Sequence, residues 1–277
     1  MILVNGLIVR PTVFPDNTSS VRLSPIRGEH ITIPGSGVLD SGYYIEWKYD
    51  NDQECMLMWH LAHHIRENDL YAMIVLYMPY IPNARMDRVK NRDEIFTLKW
   101  FAEFINAMAF DKVVVCDPHS NVATALIDRV EVVDAIHFVG RVITELDNER
   151  NMNVLLCYPD EGAAKRYSEQ ISGEYVFCIK HRDWRTGKIE RLELTNQDKV
   201  AGRNVLIVDD ICSRGGTFTH TARALKEAGA KEAFLYVTHC EKTIFNGSVL
   251  TDGLISHVYT TDSIFRGESD KITVFKE

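Results

Sequence analysis

Apolar positions along this chain fall into two patterns. Continuous runs occur at Met73-Ile74-Val75-Leu76-Tyr77-Met78, Val113-Val114-Val115-Cys116, Val154-Leu155-Leu156-Cys157-Tyr158 and Val205-Leu206-Ile207-Val208. Short runs of this kind predict strands buried on both faces, as in a parallel sheet. Weaker strand signals lie at Ile2–Val9, 131–139, Tyr175–Ile179, Ala233–Thr238, His257–Thr260 and Lys271–Phe275. Between them, apolar residues recur at helical spacing. Gln53 to about Asn68 is one such segment. Asp93–Ala109 is another, with Ile95, Leu98, Phe101, Ala102 and Ile105 on one face, and Phe218–Ala228 is a third. Residues 24–50 carry repeated Gly and Pro between short apolar pieces, which predicts antiparallel strands and turns. The repeated strand–loop–helix order predicts an α/β protein. A polar helix around Gly140–Asn151 places a domain boundary there, giving domains 1–140 and 141–277.

The stretch from Asn204 to Thr217 carries the clearest chemistry. Asp209 and Asp210 are expected at the carboxyl end of a buried strand. The turn Ser213-Arg214-Gly215-Gly216-Thr217 follows, and a helix starts near Phe218. Ligands of open α/β sheets bind at the carboxyl ends of strands. A Gly-rich turn entering a helix offers unpaired N–H groups to a phosphate. Neighbouring acids can accept hydrogen bonds from sugar hydroxyls. The combination points to a ribose-phosphate site.

Composition narrows the class. The chain has 277 residues, 45% hydrophobic and 25% charged, which suits a soluble globular protein. A net charge of −8 argues against broad nucleic-acid binding. No apolar run approaches membrane-spanning length, and Met1–Gly6 lacks a secretory signal pattern. Six cysteines are scattered without a CxxC pair. A cytoplasmic protein with no membrane partner is expected.

Other strand ends and loops hold further candidates. Pro79-Tyr80-Ile81-Pro82-Asn83-Ala84-Arg85-Met86-Asp87-Arg88 follows a predicted strand, and Arg forks there match phosphate oxygens. Asp117-Pro118-His119-Ser120 ends the next strand, and Asp160 ends another. Lys180-His181-Arg182 opens a cation-rich loop running to Lys188, read either as solvated charge or as a lid over phosphates. Phe14-Pro15-Asp16-Asn17 is read as an ordinary surface loop or as a base-stacking loop. His60, His63 and His64 share a helix face and are read as ordinary surface or core histidines.

In their order along the chain, these stretches resemble the ribose-phosphate pyrophosphokinase family. The resemblance implies two phosphoribosyltransferase-like domains, each with a mainly parallel central sheet flanked by helices, and an active site between them. It implies transfer of the β,γ-diphosphoryl group of ATP to the anomeric hydroxyl of ribose 5-phosphate, with Mg2+ as cofactor and AMP as product. By resemblance, Phe14 and Asp16 meet the adenine of ATP bound mainly by a neighbouring subunit. Arg85, Asp87, Arg88 and His119 lie along ATP, and His119 and Asp160 hold magnesium. Lys180 and Arg182 are catalytic. Asp209 and Asp210 contact the ribose, with Asp210 a candidate for activating the hydroxyl. Ser213, Arg214, Gly215, Gly216 and Thr217 receive the 5-phosphate. A homo-oligomer, dimer or hexamer, is implied.

Three positions depart from the family pattern. Thr18 stands where an acid is usual, Met86 where Gln is common, and Arg214 where a hydroxyl residue is common. They mark a divergent member, of a kind found in bacteriophages. Arg214 raises ADP-ribose as the alternative acceptor, because some such relatives diphosphorylate it. A catalytically silent regulatory homologue and a phosphoribosyltransferase are the remaining readings.

Overall fold

The computed structural model describes residues 1–24, 26–149, 152–182 and 189–276. The chain divides into two compact units, Met1–Asp134 and Ala135–Glu277.

The first unit opens with strands β1 (Ile2–Val4) and β2 (Leu7–Ile8), paired antiparallel. A single strand over 2–9 was the expectation. Asn5 and Gly6 both take positive φ, 48° and 79°, and close a two-residue hairpin turn instead. The Asn-Gly dipeptide was the signal for it. A small separate hairpin follows, β3 (Thr12–Val13) and β4 (Ser19–Ser20). β5 (Gly28–Ile33) pairs antiparallel with β6 (Gly37–Trp47), as the Gly/Pro pattern predicts. Then α1 (Gln53–Asn68), β7 (Ile74–Tyr77), α2 (Thr97–Ala107), β8 (Lys112–Cys116), α3 (Asn121–Leu126) and β9 (Val130–Val133) alternate. The sheet order is β2-β1-β6-β7-β8-β9, with β5 also on β6. Strands β6 to β9 are parallel.

Both faces of that sheet are covered. Ile45, Trp47, Ile74, Leu76, Val113 and Val115 pack with Leu57, Met58 and Leu61 of α1 and Leu98 and Phe101 of α2. Tyr44, Val75, Tyr77 and Val114 pack with Ile33 and Leu39. Helix α2 begins at Thr97, four residues after the expected start. The Glu94 carboxylate accepts from the backbone N–H groups of Lys90 and Asn91 at 2.8 and 3.3 Å, which closes a turn there rather than a helix.

The second unit starts with α4 (Ile136–Thr144), which continues as a π-helical turn to Glu149. Residues 136–139 are therefore helical, although a strand to 139 was expected. Phe138, Val139 and Val142 bury one helical face against Leu156, Tyr158 and Phe275. Because α4 packs with this second core, the units divide before it, six residues ahead of the expected boundary at 140. There follow β10 (Leu155–Tyr158), α5 (Glu161–Tyr167), β11 (Tyr175–Arg182), β12 (Ile189–Leu194), β13 (Asn204–Cys212), α6 (Gly216–Glu227), β14 (Glu232–Cys240), β15 (His257–Thr261) and β16 (Ile272–Phe275).

The second sheet runs β12-β11-β10-β13-β14-β15-β16. All its neighbours are parallel except β12, which pairs antiparallel with β11. Lys180 pairs with Leu192 and Arg182 with Ile189. The strand therefore continues through both cations, where a loop was expected to begin at Lys180. From β10 the chain moves outward to β11 and β12, then crosses back to β13 on β10's other side. Such a reversal of strand order opens a crevice at the carboxyl ends of β10 and β13. Val205 and Ile207 face Phe218, Ala222 and Leu225 of α6. Leu206 and Val208 face α4 and α5.

Candidate functional site

The strand β13 runs through Asp209 and Asp210, expected at its end, and on two residues further to Cys212. Successive strand residues point to opposite faces. Asp210 therefore falls on the α5 side with Leu206 and Val208, and it is 4% exposed. Asp209 falls on the other side. The register pairs Cys157 with Ile207. Continued past Tyr158, it brings Asp160 level with the two acids.

Asp160 caps α5: its Oδ1 accepts from the Ala163 N–H at 3.0 Å. Its charge still reaches Asp209. Burial, then the Asp210 carboxylate, then that of Asp160 push the Asp209 carboxyl well above the usual carboxylate range. Asp210 in turn meets Arg166, with Nη1 3.1 Å from Oδ2. Arg166 lies in the stretch singled out after Asp160, but it was not among the expected site residues. Its helical register, six positions after an N-cap acid, was the available signal.

The turn after β13 ends in Gly215, with φ 78°, which forms the N-cap of α6. A glycine cap supplies no side-chain acceptor, so the first N–H groups of α6 stay open to an anion. A Cβ on Gly215 would lie 2.0 Å from Val249 Cγ2, and one on Gly247 would lie 1.8 Å from the Arg214 carbonyl oxygen. Ser213 Oγ and Thr243 Oγ1 are 3.0 Å apart. Glu241 N donates to Cys212 O at 2.8 Å. The segment 241–249 thus buttresses the turn from behind. Arg214 is exposed. The turn thus presents the open N–H groups of a helix N-terminus near three carboxylates. Sequence reasoning singled out the Gly-rich turn but missed its buttress, whose residues lie some 30 positions downstream.

In the first unit, the loops after β7, β8 and β9 share one edge of the sheet. Cys116 N donates to Pro79 O at 3.0 Å, and Asp117 N donates to Val133 O at 2.9 Å. Ile81 and Ala84 are buried and anchor the loop that carries Arg85, Asp87 and Arg88. Arg88 Nε is 3.8 Å from Asp87 Oδ1, with Arg88 74% exposed. His119 is half-buried in the neighbouring loop.

Phe14 and Asp16 sit apart, at the tip of the β3–β4 hairpin. Phe14 is 48% exposed. Asp16 Oδ1 accepts from Thr18 N at 3.0 Å and Thr18 Oγ1 at 2.7 Å, which holds its carboxyl below the usual range. Lys180 and Arg182 are strand residues whose side chains, like residues 183–188, lie outside the described structure.

A phosphoribosyl transferase domain model matches residues 131–244, the span that holds Asp160, the acid pair and the cradle. The ribose-phosphate pyrophosphokinase of Sulfurisphaera tokodaii is 28% identical over 285 residues, covering 99% of this chain and 90% of that protein. That of Sulfolobus acidocaldarius is 26% identical, with the same 99% and 90% coverage. This chain belongs to the ribose-phosphate pyrophosphokinase family. The same name is carried by a Pasteurella multocida relative, 30% identical over 69% of this chain and 61% of its own length. The phosphoribosylpyrophosphate synthetase of Mycobacterium smegmatis shares the fold, with TM-score 0.77 at 18% identity over 97% of this chain and 86% of its own. Within the pyrophosphokinase family the two α/β units described above are therefore of phosphoribosyltransferase type.

Proposed function

We propose that this chain transfers the β,γ-diphosphoryl group of ATP to the anomeric hydroxyl of ribose 5-phosphate. The hydroxyl oxygen bonds to the β-phosphorus, the bond from that phosphorus to the α-phosphate oxygen breaks, and AMP leaves. The observation that supports this reading is the acid pair beside an open helix N-terminus at the strand-order reversal of the second sheet. The cradle 213–217 suits a 5-phosphate, and Asp209 and Asp210 suit the ribose hydroxyls.

Phosphoryl transfer depends on positioning and on neutralising charge. When bound, magnesium neutralises the phosphate oxygens of the transferred group. Asp160 and His119 are the residues proposed to hold it. Among the described residues no cluster of three or more His, Cys, Asp or Glu side chains is set to hold a metal. Magnesium usually takes one or two protein carboxylates and completes its shell with phosphates and water. Lys180 and Arg182 are proposed to stabilise charge on the leaving α-phosphate. Arg85, Asp87 and Arg88 are proposed to line ATP. Asp210 is proposed to hold the attacking hydroxyl.

The exposed Phe14 ring is proposed to stack on the adenine of ATP bound to a second copy, with Asp16 near the base edge. The active form is then at least a dimer, in the cytoplasm. Arg214 is exposed at the turn, and a cation there suits a second phosphate, so ADP-ribose is the competing acceptor. The test is AMP release from ATP and magnesium with each sugar. AMP with ribose 5-phosphate is expected. AMP with ADP-ribose alone overturns the acceptor, and AMP with neither points to a silent homologue. Consumption of phosphoribosyl diphosphate with a base, without ATP, points to a phosphoribosyltransferase.

A further inference from the structure

Arg166 lies near the end of α5, and the chemistry above gives it no part. Its Nη1 is 3.1 Å from Asp210 Oδ2, and the two side chains are 27% and 6% exposed. The helix runs from Glu161 to Tyr167, so the Cα of Arg166 starts well below the edge where Asp160 caps it. Side chains of a helix lean toward its N-terminus. Through that lean the guanidinium climbs back to the acids. On its way it passes the Tyr167 ring, 5.7 Å from guanidinium carbon to centroid.

Three carboxylates at one crevice form a poor receptor for a sugar phosphate. Arg166 offsets one of those charges. It also fixes the orientation of a carboxylate that is almost out of solvent, where an unpaired charge is costly. The contact is a close ion pair, and a guanidinium keeps its charge when it is partly buried more readily than an ammonium does.

We infer that Arg166 is a positioning residue, holding the Asp210 carboxylate in the orientation that receives the hydroxyls of the sugar phosphate. The identity of that sugar rests on the pyrophosphokinase reading. Arg166 acts through Asp210 and touches no reacting atom.

The test compares Arg166→Met, Arg166→Lys, Asp210→Asn and the double variant Arg166→Met with Asp210→Asn. It reads KM for each substrate, kcat, thermal midpoint and direct calorimetric binding of ribose 5-phosphate. Arg166→Met should raise KM and the calorimetric Kd for ribose 5-phosphate by about tenfold, the low end of what a close, partly buried ion pair contributes. KM for ATP should stay within about twofold, an effect below 0.5 kcal/mol. Arg166→Lys should recover part of the loss, and the double variant should be no worse than Asp210→Asn alone.

An equal rise in both KM values overturns the inference. So do multiplying effects in the double variant, or a lower thermal midpoint with unchanged sugar binding. If Arg166→Met does not fold, Arg166→Lys carries the test, and an unchanged Kd for the sugar overturns the inference. Calorimetry needs no turnover. Wild-type protein that binds ribose 5-phosphate without releasing AMP refutes the pyrophosphokinase reading alone, and weaker binding by Arg166→Met then still supports the inference. Wild-type protein that does not bind the sugar overturns both.

Discussion

Gly247→Ala tests whether the 213–217 cradle is held in place from behind. Its Cβ would sit 1.8 Å from the Arg214 carbonyl oxygen and 2.8 Å from the carbonyl carbon. Both are backbone atoms, so no side chain can rotate away. The backbone φ of Gly247 is −107°, which alanine adopts freely, so the substitution tests space alone. Relief requires that contact to lengthen from 1.8 Å to ordinary van der Waals distance, 3.4 Å or more. The cradle backbone must move by more than an ångström, or the buttress must yield. Overpacking of this kind costs about 1–3 kcal/mol. In a chain of this size that lowers the thermal midpoint by roughly 2–10 °C. A misplacement of about 1 Å in a positioning group costs on the order of a hundredfold in rate. We expect kcat/KM for ribose 5-phosphate to fall by about that factor, with direct ATP binding little changed. The assay is coupled AMP release with each substrate varied, beside thermal unfolding. A Gly247→Ala protein with wild-type KM for the sugar phosphate and wild-type kcat would refute the buttress and the phosphate role of the turn it supports.

Gly140→Ala is the matching control. Gly140 lies inside α4 with nothing within 4 Å of an added Cβ, so stability should rise by about 0.5–1 kcal/mol with activity unchanged, as thermal unfolding would show. Phe14→Ala removes an exposed ring from the hairpin tip. It should raise KM for ATP by roughly 10- to 100-fold through lost base stacking and leave the thermal midpoint in place; a shift in KM for the sugar alone contradicts the adenine role. Asp209 binds its proton more tightly in the folded chain than in the unfolded one, because of burial and the neighbouring acids. The stability it contributes is present below the ordinary carboxylate range and is lost as pH rises through its raised folded value. Asp209→Asn should therefore raise the ligand-free thermal midpoint near neutral pH, most at low salt, while weakening sugar-phosphate binding. A midpoint unchanged from acid to neutral pH contradicts the crowding of the three carboxylates.

Much of the architecture was legible in the runs of Val, Ile and Leu. Runs such as 74–77, 113–116 and 205–208 are apolar at every position because both faces of their sheets are covered. That double burial is what makes a parallel strand visible in sequence. The misreadings have local causes. Residues 136–139 are apolar enough for a strand, but their spacing serves a helix whose partners, Tyr158 and Phe275, lie far along the chain. Lys180 and Arg182 are polar enough for a loop, yet β12 extends the strand beneath them by antiparallel pairing. A partner strand's hydrogen bonds leave no mark on the residues they stabilise.

The sequence by itself determined the ordered set of stretches that marks the family, and it located the acid pair and the Gly-rich turn. These are consecutive residues whose chemistry is fixed by the chain. Only the tertiary structure decided which acid is buried, which one crowds its neighbours and which cation answers them. Arg166 reaches Asp210, and Gly247 backs Arg214, through contacts across 44 and 33 positions of sequence. Such contacts depend on strand register and helix direction, which no local pattern specifies.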